Sequence, residues 1–151
     1  MKLADLIAGV MGLHRVGAPA PILAAALTIP FAWAIHWIGG FPFLAIATLI
    51  GCAKIAWAAP RASVPMVADR MIGQMIALWA LSAGLWFAGV APHVFPYPGW
   101  IGAFVMFNLL IALPLISRLA TRHVLLDDVA AGALAASVTL LAAGISHGWF
   151  G

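Results

Sequence analysis

Two adjacent carboxylates, Asp127 and Asp128, are the residues of this sequence best suited to chemistry. They stand at the head of a long apolar run that is almost free of charge to the end of the chain. Paired carboxylates at such a boundary are costly to desolvate, so they need a cation or exposure to water. The pair therefore predicts a charged site where a helix enters an apolar environment.

A third carboxylate, Asp69, precedes an apolar stretch with the same pattern. The residues one and two helical turns behind Asp128 and behind Asp69 are all small: Gly132, Ala136, Gly73 and Ala77. Small residues four apart allow two helices to approach backbone to backbone. This spacing predicts that the two helices pack together and bring Asp69 beside Asp127 and Asp128.

Phosphate chemistry is the function that this group of residues favours. Asp69, Asp127 and Asp128 offer the hard oxygen ligands that Mg²⁺ prefers. Nearby arginines provide the charge that binds phosphate; they are Arg70, Arg118 and Arg122. The simpler alternatives are that Asp127 or Asp128 caps the last helix, and that Arg118 and Arg122 only set membrane topology.

Composition assigns the chain to the membrane proteins. Of its 151 residues, 66% are hydrophobic and 7% are charged, whereas a soluble domain carries about a quarter charged residues. The length predicts a single domain over residues 1–151.

We expect an all-α membrane bundle with about five apolar spans, judged against the roughly 20 residues that a spanning helix needs. The predicted spans are 18–38, 41–59, 70–90, 99–117 and 128–147. Gly39 and Gly40 predict a turn, and Pro30 predicts a kink or break. Leu3, Leu6, Ile7, Val10 and Met11 recur at helical spacing, which predicts a short amphipathic helix on the membrane surface.

Threading five spans places all four aspartates and most of the basic residues on one side of the membrane. Positive-inside bias makes that face cytoplasmic. The opposite boundary collects an expected aromatic belt, which comprises Trp37, Trp86, Tyr97, Trp100 and Trp149. We expect His36, His93 and His147 to be interfacial on that same side.

Other kinds of site are not supported by the sequence. It contains no Gly-rich P-loop, no G-x-S-x-G element and no Cys/His cluster with zinc spacing. It shows no nucleic-acid module, and it leaves the oligomeric state open.

Several segments resemble the phosphatidylglycerophosphatase A family of bacterial inner-membrane lipid phosphatases. Leu126-Asp-Asp-Val-Ala-Ala-Gly132 is similar to the family's apolar-Asp-Asp-x-x-Ala-Gly signature. Val67-Ala-Asp-Arg-Met-Ile-Gly-Gln-Met-Ile76 is similar to its Val-x-Asp-Glu-x-x-Gly-x-x-Ile helix start. Gly17 resembles an early Gly-rich turn, and Phe107-Asn108 resembles a Phe-Asp segment.

The resemblance implies Mg²⁺-dependent hydrolysis of phosphatidylglycerol phosphate to phosphatidylglycerol, a membrane lipid, at the cytoplasmic leaflet of a bacterial inner membrane. It makes Asp69 and Asp128 the expected catalytic residues, with Asp127 as a further metal ligand. Two departures lie in the presumed metal site, where Arg70 replaces a Glu and Asn108 replaces an Asp. They suggest an alternative, a catalytically impaired membrane homologue in which Arg70 pairs with Asp127 or Asp128 in place of the metal.

Overall fold

The computed structural model describes residues 2–95, 97–113 and 124–146, and within them the chain is helical with no strand. The α-helices are α1 (Leu3–Ala8), α2 (Ala20–Ala58), α3 (Ala68–Phe87), α4 (Gly99–Ala112) and α5 (Val124–Ser146). Short 3₁₀ turns cover Leu13–Val16 and Ala59–Arg61. The predicted all-α class is therefore confirmed for the described residues.

Helix α2 is interrupted at Gly39 and Gly40, whose backbone dihedrals are not helical. Gly40 has φ +64°, and a Cβ there would collide with the Trp86 ring, so the break needs glycine. Phe31 and Ile50, from opposite sides of the break, line one cavity, although a straight helix would separate them by about 28 Å. The chain therefore folds back at the predicted Gly39–Gly40 turn. The predicted break at Pro30 is wrong, because the helix continues through that residue.

Helices α3 and α5 pack closely through their small residues, as the spacing predicts. A Cβ on Gly73 would lie 2.5 Å from the backbone oxygen of Asp128, and a Cβ on Gly132 would collide with the backbone oxygen of Gly73. Ala77 is fully buried in the same region. Helix α3 is the centre of the bundle, since α2, α4 and α5 all pack on it.

Within the described residues, two helical segments are long and apolar enough to cross a membrane, Ala20–Arg61 and Leu125–Ser146. The first contains both halves of the folded α2, and Gly99–Ala112 is a shorter apolar helix. These lengths and compositions are compatible with a membrane bundle, and the two segments do not by themselves show the five predicted spans.

The N-terminal helix is shorter than predicted and is held by the protein. It ends at Ala8, and Val10 and Met11 have positive φ, outside any helix. Asp5 is buried and accepts hydrogen bonds from the backbone N–H of Ser63 at 2.7 Å and from its hydroxyl at 2.9 Å. The buried side of this helix therefore includes the Asp5 carboxylate, which Ser63 holds.

The predicted aromatic belt is only partly an exposed surface. Tyr97 and Trp37 are exposed, but Trp100 is fully buried in the core. The prediction of an interfacial His36 is also wrong. Its ring is buried, shares a 2.7 Å hydrogen bond with the Ser82 hydroxyl, and stands edge-on to Trp100.

Candidate functional site

Two of the predicted carboxylates meet between the first turns of α3 and α5. Asp69 is 1% exposed and Asp128 is 2% exposed. A Cβ on Gly73, one helical turn after Asp69, would lie 2.5 Å from the backbone oxygen of Asp128, so the two residues stand on facing turns. The predicted convergence of Asp69 with Asp128 is therefore confirmed, and the glycine contact between their helices explains it.

Arg70 binds both carboxylates. Its guanidinium Nη1 lies 3.0 Å from Oδ1 of Asp128. Its backbone N–H donates a 2.9 Å hydrogen bond to Oδ1 of Asp69. A quarter of the Arg70 side chain stays exposed. Arg70 therefore lies between the two buried carboxylates and the protein surface.

The second carboxylate oxygen of Asp128 does not take part in the ion pair with Arg70. This oxygen, Oδ2, is buried and has no hydrogen-bond partner among the described residues. A buried carboxylate oxygen without a donor is unfavourable, so a hydrogen-bond donor placed beside this atom would stabilise the site. The predicted phosphate ligands Arg118 and Arg122 lie outside the described residues.

Asp127 does not join the cluster. No three His, Cys, Asp or Glu side chains are grouped to hold a metal ion in residues 2–95, 97–113 and 124–146. Adjacent residues of a helix point about 100° apart, which explains why Asp127 stays partly exposed while Asp128 is buried. The capping alternative is wrong for Asp128, because α5 begins at Val124 and the carboxylate binds Arg70.

A small cavity opens beside the cluster. Its volume is about 150 Å³, and its lining includes Arg70 and Asn108 together with apolar residues such as Pro21 and Ile22. The Asn108 amide donates a 2.8 Å hydrogen bond to the Phe104 carbonyl of its own helix. The cavity thus presents one cation and one amide between the beginnings of α2 and α3 and the end of α4.

Gln74 is a polar residue of this region that the sequence analysis passed over. It lies one helical turn beyond Arg70, is fully buried, and neither polar atom of its amide has a partner among the described residues. The sequence signal for Gln74 was a single amide side chain four residues after the charged Arg70, in a helix that is otherwise mostly apolar.

In the part of the chain that the structure describes, the residues at this site do not fit the implied Mg²⁺ ion. The ion takes oxygen ligands, whereas one oxygen of Asp128 already binds the Arg70 guanidinium and Asp127 is not part of the group. A divalent cation on Asp128 would also stand next to a like charge, which opposes its binding.

Protein-family models, curated proteins and solved structures give no match to this chain.

Proposed function

We propose that the chain is a multi-pass membrane protein of the phosphatidylglycerophosphatase A type, with five membrane-crossing segments. Its charged end, which carries Asp69, Arg70 and Asp128, faces the cytoplasm of a bacterial cell. Two features support this placement: the apolar helical segments, and the basic residues, most of which five crossings would collect on one side.

Within that type of protein, we assign the cluster the role of a salt-bridged centre in which Arg70 takes the place of the metal. The observation that carries this assignment is the 3.0 Å bond between Arg70 and Asp128. In this arrangement the guanidinium neutralises one buried carboxylate directly. The protein is then a catalytically impaired relative of the lipid phosphatases.

Active hydrolysis of phosphatidylglycerol phosphate is the second candidate, and the open Oδ2 of Asp128 favours it. In that case Arg70 would bind the lipid phosphate from the small cavity that it lines with Asn108. A guanidinium suits this role because it donates two parallel hydrogen bonds to phosphate oxygens.

Phosphate release from phosphatidylglycerol phosphate distinguishes the two candidates. Purified wild type, Asp128→Ala and Arg70→Glu would be assayed in detergent with Mg²⁺. We expect wild type to release no more phosphate than Asp128→Ala. Release several-fold above that control would establish the phosphatase and reject the salt-bridged centre. The Arg70→Glu variant tests whether an acidic residue at this position restores activity.

A further inference from the structure

A continuous groove follows the seam between the two halves of α2. Near the charged end it encloses about 360 Å³, lined by residues that include Phe31, Ile50 and Lys54 of α2 and Met75 of α3. Toward the opposite end a second space of about 380 Å³ is lined by residues 35–50 of α2 alone. Ala47 and Ile50 line both spaces, which joins them into one groove of the size of a ligand site.

The groove is apolar along its length and carries a single charge at one end. Its lining side chains are aliphatic, aromatic or methionine apart from Lys54. Lys54 is exposed, and among the described residues its ammonium has no carboxylate partner, since the ion pair there joins Arg70 and Asp128. A ligand that fits must therefore be a long apolar chain with an anionic head.

The dimensions match one lipid acyl chain. Eleven residues separate Phe43, at the far end, from Lys54, which corresponds to about 17 Å of helix. One leaflet is half of a hydrocarbon core of about 30 Å. Met71 and Met75 on the α3 wall are flexible side chains that adapt to an irregular partner.

We propose that this groove binds one anionic phospholipid, with an acyl chain along the seam of α2 and the phosphate at Lys54. The site rests on the membrane placement proposed above and is independent of the role of Arg70. It uses the face of α3 that carries Ala68, Met71 and Met75, whereas Gly73 faces α5.

Lipid retention by the detergent-purified chain, measured by native mass spectrometry, tests the site. The probes are dioleoyl phosphatidylglycerol and dioleoyl phosphatidylcholine at equal concentrations. Lys54→Gln should weaken retention of the anionic lipid about fivefold, the effect of one lysine near an anionic surface. Lys54→Arg should preserve retention, and Arg15→Gln, which removes an exposed charge outside the groove, should not change it.

A second variant, Ile50→Trp, fills the groove from an exposed position and should reduce retention of both lipids. Equal retention of the two lipids by wild type, or equal behaviour of Lys54→Gln and Arg15→Gln, would overturn the proposal. In both cases the membrane placement would stand. A protein that stays monodisperse without detergent and retains neither lipid would contradict the placement as well.

Discussion

At the scale of single residues, Arg70 decides how the buried carboxylates are stabilised. Its guanidinium contacts Asp128 and its backbone N–H contacts Asp69, both almost fully buried, while the Arg70 side chain itself remains partly exposed. Removing one partner of a buried ion pair leaves the other charge uncompensated, which costs more than the pair contributes when intact.

Arg70→Ala should therefore destabilise the protein by about 3 kcal/mol, the lower end of the range for buried pairs, because Arg70 is partly exposed. For a chain of this length the loss corresponds to a fall in melting temperature of roughly 6–12 °C. The measurement is thermal unfolding in detergent, with Arg61→Ala as the control, because Arg61 is exposed and, among the described residues, bonds to Trp57 of the preceding turn and to no carboxylate. Equal melting temperatures for the two variants would show that the ion pair is not structural.

Asp5 provides a pH-dependent contact outside the membrane-crossing segments. The backbone N–H of Ser63, and after it the Ser63 hydroxyl, hold the pKa of Asp5 below its ordinary value of 3.8. A lowered pKa in the folded state means that this contact stabilises the protein above pH 3.8 and is lost as the pH falls through the folded-state pKa.

Hydrogen exchange at the Ser63 amide should thus be slow near neutral pH, and its protection should fall when Asp5 becomes protonated below pH 3.8. Asp5→Asn should lower the protection near neutral pH and remove its fall below pH 3.8. Ser63→Ala is the matched control, because it keeps the backbone N–H bond to the carboxylate. Unchanged protection in Asp5→Asn would exclude the contact.

At the scale of helices, the close contact of α3 with α5 brings the carboxylates together. Backbone atoms of one helix stand where side chains of the other would begin, at Gly73 and Gly132. Backbone atoms cannot rotate away as a flexible side chain can. Added volume at Gly73 or Gly132 is therefore expected to push the two helices apart.

Gly73→Ala and Gly132→Ala should each destabilise the protein by about 1–3 kcal/mol. Gly84→Ala and Gly102→Ala are the controls, since among the described residues a Cβ at either position meets no atom of another helix within 4 Å. Alanine there should stabilise its helix by up to about 1 kcal/mol. Thermal unfolding of the four variants makes the comparison, and the same effect at all four positions would refute the close helix contact.

This contact was predictable from sequence because it depends on a local pattern, namely small residues four apart behind a carboxylate. The partner of each side chain was less predictable. Arg70 binds Asp128 rather than the adjacent Asp127 because of how α5 is rotated about its axis, and hydropathy does not report that rotation. His36 was assigned to the interface for the same reason, although it hydrogen-bonds Ser82 inside the bundle.

At the scale of the whole molecule, hydropathy predicted the helical class and the Gly39–Gly40 pair predicted the turn, but the break expected at Pro30 is absent. The remaining helix bonds and the packing of α2 keep Pro30 within a helix. The charge pattern also predicts the orientation of the bundle. If each helical segment crosses the bilayer, the loop before α3 and the loop before α4 lie at opposite ends.

Single cysteines test that orientation in a Cys52→Ser background. In intact cells an impermeant thiol reagent should label Ala91→Cys, in the loop before α4. It should label Ser63→Cys, in the loop before α3, only after the membrane is permeabilised. Equal labelling of both positions in intact cells would refute the crossing pattern.

The central claim is that Arg70 occupies the place of a metal ion, and the most direct measurement is the melting temperature of the wild type with and without Mg²⁺. A ligand that binds only the folded state raises its stability, by about 2.7 kcal/mol at a hundredfold excess over Kd. We predict no increase with millimolar Mg²⁺ beyond that given by KCl at the same ionic strength. A Mg²⁺-specific increase that disappears in Asp128→Ala would contradict the claim.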